Sequence, residues 1–237
     1  MNKTRTINPE ILDSLPSDDP RAKRARRDLT RVNALMGNLN IWNRLFKSIF
    51  KAGHTPITIA ELGAGDGKLL LMLARDWSMY WPKVEVTLVD LHPAVTKGTL
   101  ESFSDLGWEV NIISADVKDW LVNTSPVDLI IANLFMHHFP DIQLSELFNK
   151  ISKKTRVFAC CEPRRSKISL LGSQLLALIG CGPVARYDAV VSVHAGFNGN
   201  ELTALWPIDK EWQLNEDSAG LFTHRFIARI TNNKQNP

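Results

Sequence analysis

Hydrophobic positions along this chain gather into short apolar runs separated by amphipathic stretches. Five runs, at 57–62, 84–89, 109–114, 127–132 and 156–161, are apolar and β-branched. Each has the length of a strand, and the absence of strict alternation fits strands covered on both faces of a parallel sheet. Between them lie stretches of helical period: one from Leu69 to near Trp81-Pro82, then about 94–106, a short one near 117–122, and about 142–150. This alternation predicts an α/β domain. Upstream, Ser17-Asp18-Asp19-Pro20 is a helix-start signal, a capping carboxylate followed by proline, and predicts a helix over 21–35. A second helix over 40–51 would place Ile41, Trp42, Leu45, Phe46 and Ile49 on one face before Gly53 ends it. Downstream the alternation lapses. Residues 168–179 read as an amphipathic or buried helix, 202–206 as part of a short helix, and 212–214 and 222–230 as late strands.

Composition narrows the class. The chain has 237 residues, 44% hydrophobic and 22% charged, enough for one domain with a full core. No run of 18 apolar residues occurs and the N-terminus lacks the apolar stretch of a secretory signal, so no membrane span and a cytoplasmic location are expected. Cys160 and Cys161 are adjacent and poorly placed to bridge each other, and Cys181 stands alone, which reads as reduced thiols. No C-x-x-C or H-x-x-x-H spacing calls for a metal. The net charge of +3 is uneven: Arg21, Lys23, Arg24, Arg26 and Arg27 fall within seven residues. A solvated helix face is favoured over a nucleic-acid surface, because aromatic residues for base stacking are missing from this stretch.

The candidate chemistry begins at Glu61-Leu62-Gly63-Ala64-Gly65-Asp66-Gly67-Lys68, a strand end followed by a three-glycine turn and a helix start. A dinucleotide site wants G-x-G-x-x-G, and Lys68 stands where the third glycine belongs. A P-loop wants a hydroxyl after its lysine, and Leu69 stands there. Glu61 would repel a pyrophosphate and suit a ligand with a cationic end. Asp90, closing the second strand, is placed to accept hydrogen bonds from ribose hydroxyls. Asp116, after the third strand, reads either as a helix cap or as a ligand contact.

The run E-x-G-x-G-x-G, with acidic stations after strands two and three, resembles the class I S-adenosylmethionine-dependent methyltransferases over residues 55–162. The resemblance implies a Rossmann-like doubly wound α/β sheet of seven strands, mostly parallel with the last antiparallel. It also implies an N-terminal helical cap over 1–54 and a methyltransferase domain over 55–237 with a lid insertion at about 163–206. S-adenosyl-L-methionine would be the cofactor. Its contacts would be Glu61, Gly63, Ala64, Gly65, Gly67, Asp90, Leu91, Asp116, Val117 and Asn133. Asn33, Met36 and Asn38 would join them, since Asn33 to Trp42 resembles the segment preceding the core in quinone C-methyltransferases. Phe135-Met136-His137-His138-Phe139 resembles the double-His stretch of ubiquinone and menaquinone methyltransferases, which makes His137 and His138 candidate bases. Glu162 in the Glu162-Pro163 turn is a third catalytic candidate, with Arg164 and His194 as substrate contacts.

The expected reaction is methyl transfer to a small phenolic, polyketide or quinone-like acceptor, in small-molecule biosynthesis. The alternatives are an RNA or protein methyltransferase docking through the basic helix, and a non-catalytic S-adenosylmethionine-binding module. An N-P-P-[YF] or D-P-P-[YF] signature, used on the amino nitrogens of bases, is missing at Ala132-Asn133-Leu134-Phe135. The sequence leaves the acceptor atom and the oligomeric state open.

Overall fold

The computed structural model describes residues 4–16, 18–50, 56–208 and 212–230. Ser17 of the helix-start signal, the stop expected at Gly53 and the boundary expected at 54/55 lie outside them. In chain order the elements are α1 (Ile11–Ser14), α2 (Pro20–Leu35), α3 (Asn38–Ile49), β1 (Thr58–Leu62), α4 (Lys68–Trp77), β2 (Val84–Asp90), α5 (Lys97–Asp105), β3 (Trp108–Ser114) and α6 (Val117–Asn123). They continue as β4 (Leu129–Asn133), α7 (Asp141–Lys154), β5 (Val157–Pro163), α8 (Lys167–Gln174), α9 (Pro183–Ala195), α10 (Glu201–Leu205), β6 (Trp212–Ala219) and β7 (Thr223–Ile230). Short 3-10 turns occupy Met136–His138 and Leu175–Ile179.

The strands form one seven-stranded sheet in the order β3-β2-β1-β4-β5-β7-β6. β1 to β5 pair in parallel, and β7 runs antiparallel between β5 and β6. The chain winds outward from β1 to β3, then crosses back to β4. That reversal opens a crevice at the carboxyl ends of β1 and β4, where ligands of such sheets bind.

Successive residues of β1 serve opposite faces, as the pleat requires. Ile59 joins Val86, Leu88 and Ile131 against Leu45 and Phe46 of α3 and Leu70 and Leu73 of α4. Ala60 and Leu62 join Ile130, Phe158 and Phe226 against Leu144, Leu147 and Phe148 of α7. Trp77 and Trp81 lie 4.6 Å apart between ring centroids, and Phe46 lies 5.5 Å from Trp81. α3 is therefore built into the core of the sheet.

Local signals decide most boundaries. The Asp19 carboxylate accepts the Arg21 N–H with Pro20 at the first helical position. Thr96 caps α5 by accepting the Thr99 N–H, so that helix starts at Lys97 and not at 94. α4 ends at Trp77, short of the expected Trp81-Pro82. The helix expected over 168–179 divides: α8 ends at Gln174, and the tighter turn that follows stops at Gly180 with φ 80°. α1 and α9 were not legible in the sequence pattern. α9 carries Val184, Val190, Val191 and Val193 around its circumference, so it lacks an apolar stripe and is rich in residues stiff at χ1.

Candidate active site

The donor side is built by the turn after β1. Gly63, Gly65 and Gly67 have φ of 68, 56 and 69°. A Cβ on Gly63 would lie 2.2 Å from the Phe135 ring, and one on Gly67 2.7 Å from Leu88; at Gly65 nothing lies within 4 Å. The first and third glycines admit neighbours, and the second faces open space where a ligand can approach the backbone. The amides of the turn point inward. Gly63 and Ala64 donate to the Val89 carbonyl at 2.8 and 3.1 Å, Gly65 to Asp90 Oδ2 at 2.8 Å, and Gly67 to the Ala64 carbonyl at 2.9 Å. A phosphate cradle needs such donors free and converging on the anion. Here they are spent, so Gly63 and Ala64 can shape a pocket but not donate to a ligand through these amides.

Acidic groups surround the turn. Glu61 is buried, and its Oε2 has no hydrogen-bond partner. Burial, with Asp66 and Asp90 nearby, pushes its carboxyl up to about 8. Asp90 accepts the Gly65 N–H on one oxygen and the His92 N–H on the other, which fixes its carboxylate while leaving a second lone pair on each oxygen. Asp116 caps α6 by accepting the Lys118 N–H at 2.7 Å, so the helix-cap reading holds for one oxygen. Val117 opens that helix, where the first N–H groups lack intrahelical partners. Leu91 is 59% exposed beside Asp90. Asn133 Oδ1 accepts from Asn38 Nδ2 at 3.0 Å and Trp42 Nε1 at 2.9 Å, tying α3 to the end of β4. Asn33 keeps a buried Oδ1 without a partner, and Met36 is half-buried.

The acceptor side follows β4. Leu134 takes φ 54°, a left-handed conformation costly for a leucine, and its N–H donates to the Cys161 carbonyl. The chain then turns over the Glu162 carboxylate, which accepts the N–H groups of Phe135, Met136 and His137 and contacts His137 Nδ1 at 2.7 Å. Glu162 is fully buried, and every one of these bonds organises the 3-10 turn. In this arrangement Glu162, expected among the catalytic residues, holds the turn in place.

His137, expected as a candidate base, is engaged in the same way. It is 2% exposed, with Nδ1 against Glu162 and Nε2 3.3 Å from Glu10 Oε1. Burial opposes its charge, but the bonds to Glu10 and Glu162 outweigh it and raise its pKa to about 9. A protonated imidazole engaged on both nitrogens has no lone pair with which to act as a base. His138 differs. Burial, then the His137 charge beside it, lowers its pKa, and its side chain is 27% exposed with Nδ1 3.4 Å from Asp13 Oδ2. Glu10, His137 and His138 have metal-like spacing, their ligand atoms lying within 4.8 Å; the ion pairs already account for this cluster.

Glu10 and Asp13 belong to an N-terminal strap that sequence reasoning missed. Arg5 anchors it. Its guanidinium donates to the carbonyls of His137, Phe139 and Ala195, pairs with Asp141 at 2.5 Å, and lies 4.0 Å from the Phe197 centroid. Asp188 of α9 accepts the N–H groups of Ile11 and Leu12, and Ser192 hydrogen-bonds Glu10. Nothing in the polar, aperiodic sequence of residues 4–10 announces this role. Of the two substrate contacts expected, Arg164 has a buried Nε with no partner. His194 meets the strap through its carbonyl, which accepts the Thr6 N–H.

Residues 59–156 match a family model described as a methyltransferase domain. No curated protein matches the chain in sequence. Among solved structures, the chain is similar to the plantazolicin methyltransferase BpumL in complex with SAH, at TM-score 0.64 and 13% identity, covering 90% of this chain and 92% of that one. It is similar to the plantazolicin methyltransferase BamL at TM-score 0.63 and 14% identity, covering 93% of each. An O-methyltransferase family protein from Burkholderia thailandensis follows at TM-score 0.61 and 16% identity, covering 92% of this chain and 62% of that one. At these identities the structures establish the fold. The matched segment runs from β1 to the residue before β5 and contains the three-glycine turn, Asp90 and Asp116. S-adenosylmethionine carries an ammonium and a sulfonium and no phosphate. The buried unpartnered Glu61, the fixed Asp90 and the inward-facing amides fit that charge pattern.

Proposed function

We propose that this chain, a class I methyltransferase that uses S-adenosylmethionine, methylates a small phenolic, polyketide or quinone-like acceptor held under the N-terminal strap. The observation that carries the reading is the contrast between the two histidines beside the crevice: His137 has both ring nitrogens engaged, by Glu162 and Glu10, whereas His138 is partly exposed with Nδ1 facing Asp13. Glu61, Gly65, Asp90, Asp116, Val117 and Asn133 would hold the cofactor, with Asp90 accepting the ribose hydroxyls and Asp116 the adenine amino group. When bound, S-adenosylmethionine supplies a sulfonium-activated methyl for in-line displacement.

The chain's own residues do the rest. His138 would take the proton of the acceptor hydroxyl, leaving that oxygen as the nucleophile for the methyl group. Asp13, beside Nδ1, orients the imidazole so that Nε2 is the base. The strap and Phe135 exclude water and hold the nucleophile in line. Arg164 offers a buried donor to an anionic or phenolic oxygen. The plantazolicin enzymes are described in complexes with desmethyl-plantazolicin analogs, which supports including azole-containing peptides among the acceptors tested.

The test is purified protein with methyl-labelled cofactor, offered pools of phenols, quinones, polyketides, azole peptides and RNA. Label should enter the small-molecule fraction, and His138→Gln should lower kcat by about 10²–10⁴ with cofactor affinity unchanged. Label in RNA would refute the acceptor class, and cofactor binding without turnover on every pool would favour a non-catalytic module.

A further inference from the structure

α8 and the 3-10 turn after it carry an apolar stripe that nothing in the fold covers. Ile168, Leu171, Leu175, Leu178 and Ile179 are 52, 57, 48, 80 and 44% exposed. Their spacing of three and four keeps the first four on one side of the helical path. A contiguous apolar face of this kind is unusual on a monomer and marks a surface that meets something.

Its surroundings are cationic. From Pro163 to Tyr187 the sequence contains no Asp or Glu; Lys167 and Arg186 are exposed there, whereas Arg165 is buried against Glu201. The stripe ends at Gly180, which borders a cleft of about 310 Å³ lined by Arg24, Arg27, Asp28 and Arg31 of α2. Arg24 reaches the Gly180 carbonyl at 3.5 Å. Asp28 is buried and spent on the Gly182 N–H and on ion pairs with Arg24 and Arg31. Among the described residues, exposed Lys23 and Arg27 have no acidic partner. An apolar stripe beside basic groups around a cleft of headgroup size has the chemistry of a peripheral membrane surface, in which side chains enter the acyl boundary and cations meet lipid phosphates.

We infer that the face formed by α8, the Leu175–Ile179 turn and the basic side of α2 docks on an anionic phospholipid bilayer. α9 joins this face to the strap through Asp188, so docking would place the acceptor side of the site next to the membrane. This last point rests on the proposed apolar acceptor; bilayer binding itself does not.

The experiment is co-sedimentation of the full chain with vesicles of phosphatidylcholine alone or mixed equally with phosphatidylglycerol, at low and high salt. Binding should be at least tenfold stronger to the anionic vesicles and fall steeply with salt. Leu178→Glu should weaken it tenfold or more, and Arg27→Gln about fivefold, near the worth of one basic residue at such a surface. Both side chains are exposed, so thermal melting and cofactor binding should not change. Absence of binding to anionic vesicles, or equal binding by Leu178→Glu, overturns the inference. So does a dimer, seen by light scattering, that Leu178→Glu dissociates without any vesicle binding by the parent protein. Methylation of a water-soluble acceptor tests the proposed function separately and should survive both variants.

Discussion

If Glu61 meets the positive charge of the cofactor, as proposed, cofactor binding should be a proton-release reaction. With its carboxyl near 8 in the free protein, about 0.9 of the molecules carry that proton at pH 7. A cation seated within about 4–6 Å lowers a carboxyl by 1–3 units; a drop of about two units would bring Glu61 near 6. The protonated fraction at pH 7 then falls to about 0.1, so binding should expel roughly 0.8 proton, declining on either side of pH 7. Calorimetric titration with S-adenosylmethionine in buffers of different ionisation enthalpy reads this number as a slope. Glu61→Gln should abolish the release. It should weaken binding about tenfold at pH 7 but only about twofold at pH 6, where the parent must also hold its proton. A slope near zero between pH 6 and 8, or one that persists in Glu61→Gln, would refute the pairing of Glu61 with the cofactor's positive charge.

Three further outcomes follow from the same geometry. Asp90→Ala removes the acceptor of the Gly65 and His92 N–H groups as well as the expected ribose contact, so cofactor affinity should fall by about tenfold to over a hundredfold in calorimetry; unchanged affinity would place the ribose elsewhere. His137 is raised from its ordinary 6.5 to about 9, so its contribution is full below about 6.5 and lost as pH rises through 9. Stability measured by denaturant should drop by on the order of 3 kcal/mol between pH 6.5 and 10, and the drop should be absent in His137→Gln; equal profiles would contradict the ion-pair network. Gly63→Ala should displace Phe135 and destabilise far more than Gly65→Ala, whose cost should be about 1–2 kcal/mol of left-handed strain; thermal melts of the two variants with equal shifts would argue against the separate roles of the glycines.

The donor half of the site was legible because its chemistry is local. Glu61 and the glycines lie within seven residues, Asp90 closes β2, and Asp116 follows β3, strands whose apolar runs are visible by themselves. The acceptor half is assembled across the fold. Glu162 looked like a free carboxylate at a strand end, and only the path of residues 134–137 around it shows that its oxygens are used. His137 and His138 are neighbours of the same type in sequence; Glu10 on one and partial exposure on the other separate them. Asp188 finds its partners, the Ile11 and Leu12 N–H groups, only where α1 lies over α9. α9 stayed hidden because its valines surround the helix.

The strap also fixes an order of assembly. Arg5 bonds to Ala195, 190 positions away, and to Asp141, 136 away. Contacts of such separation form late, after the sheet and α9 exist to receive them. The strap would thus find its place late, onto a domain already folded. Because few backbone bonds hold residues 4–10, the same step can run backward at far less than the free energy of global unfolding. Hydrogen exchange should show the Thr6 amide opening long before those of β1. Under the proposed function, entry of the acceptor and exit of the product would partly reverse that last folding step.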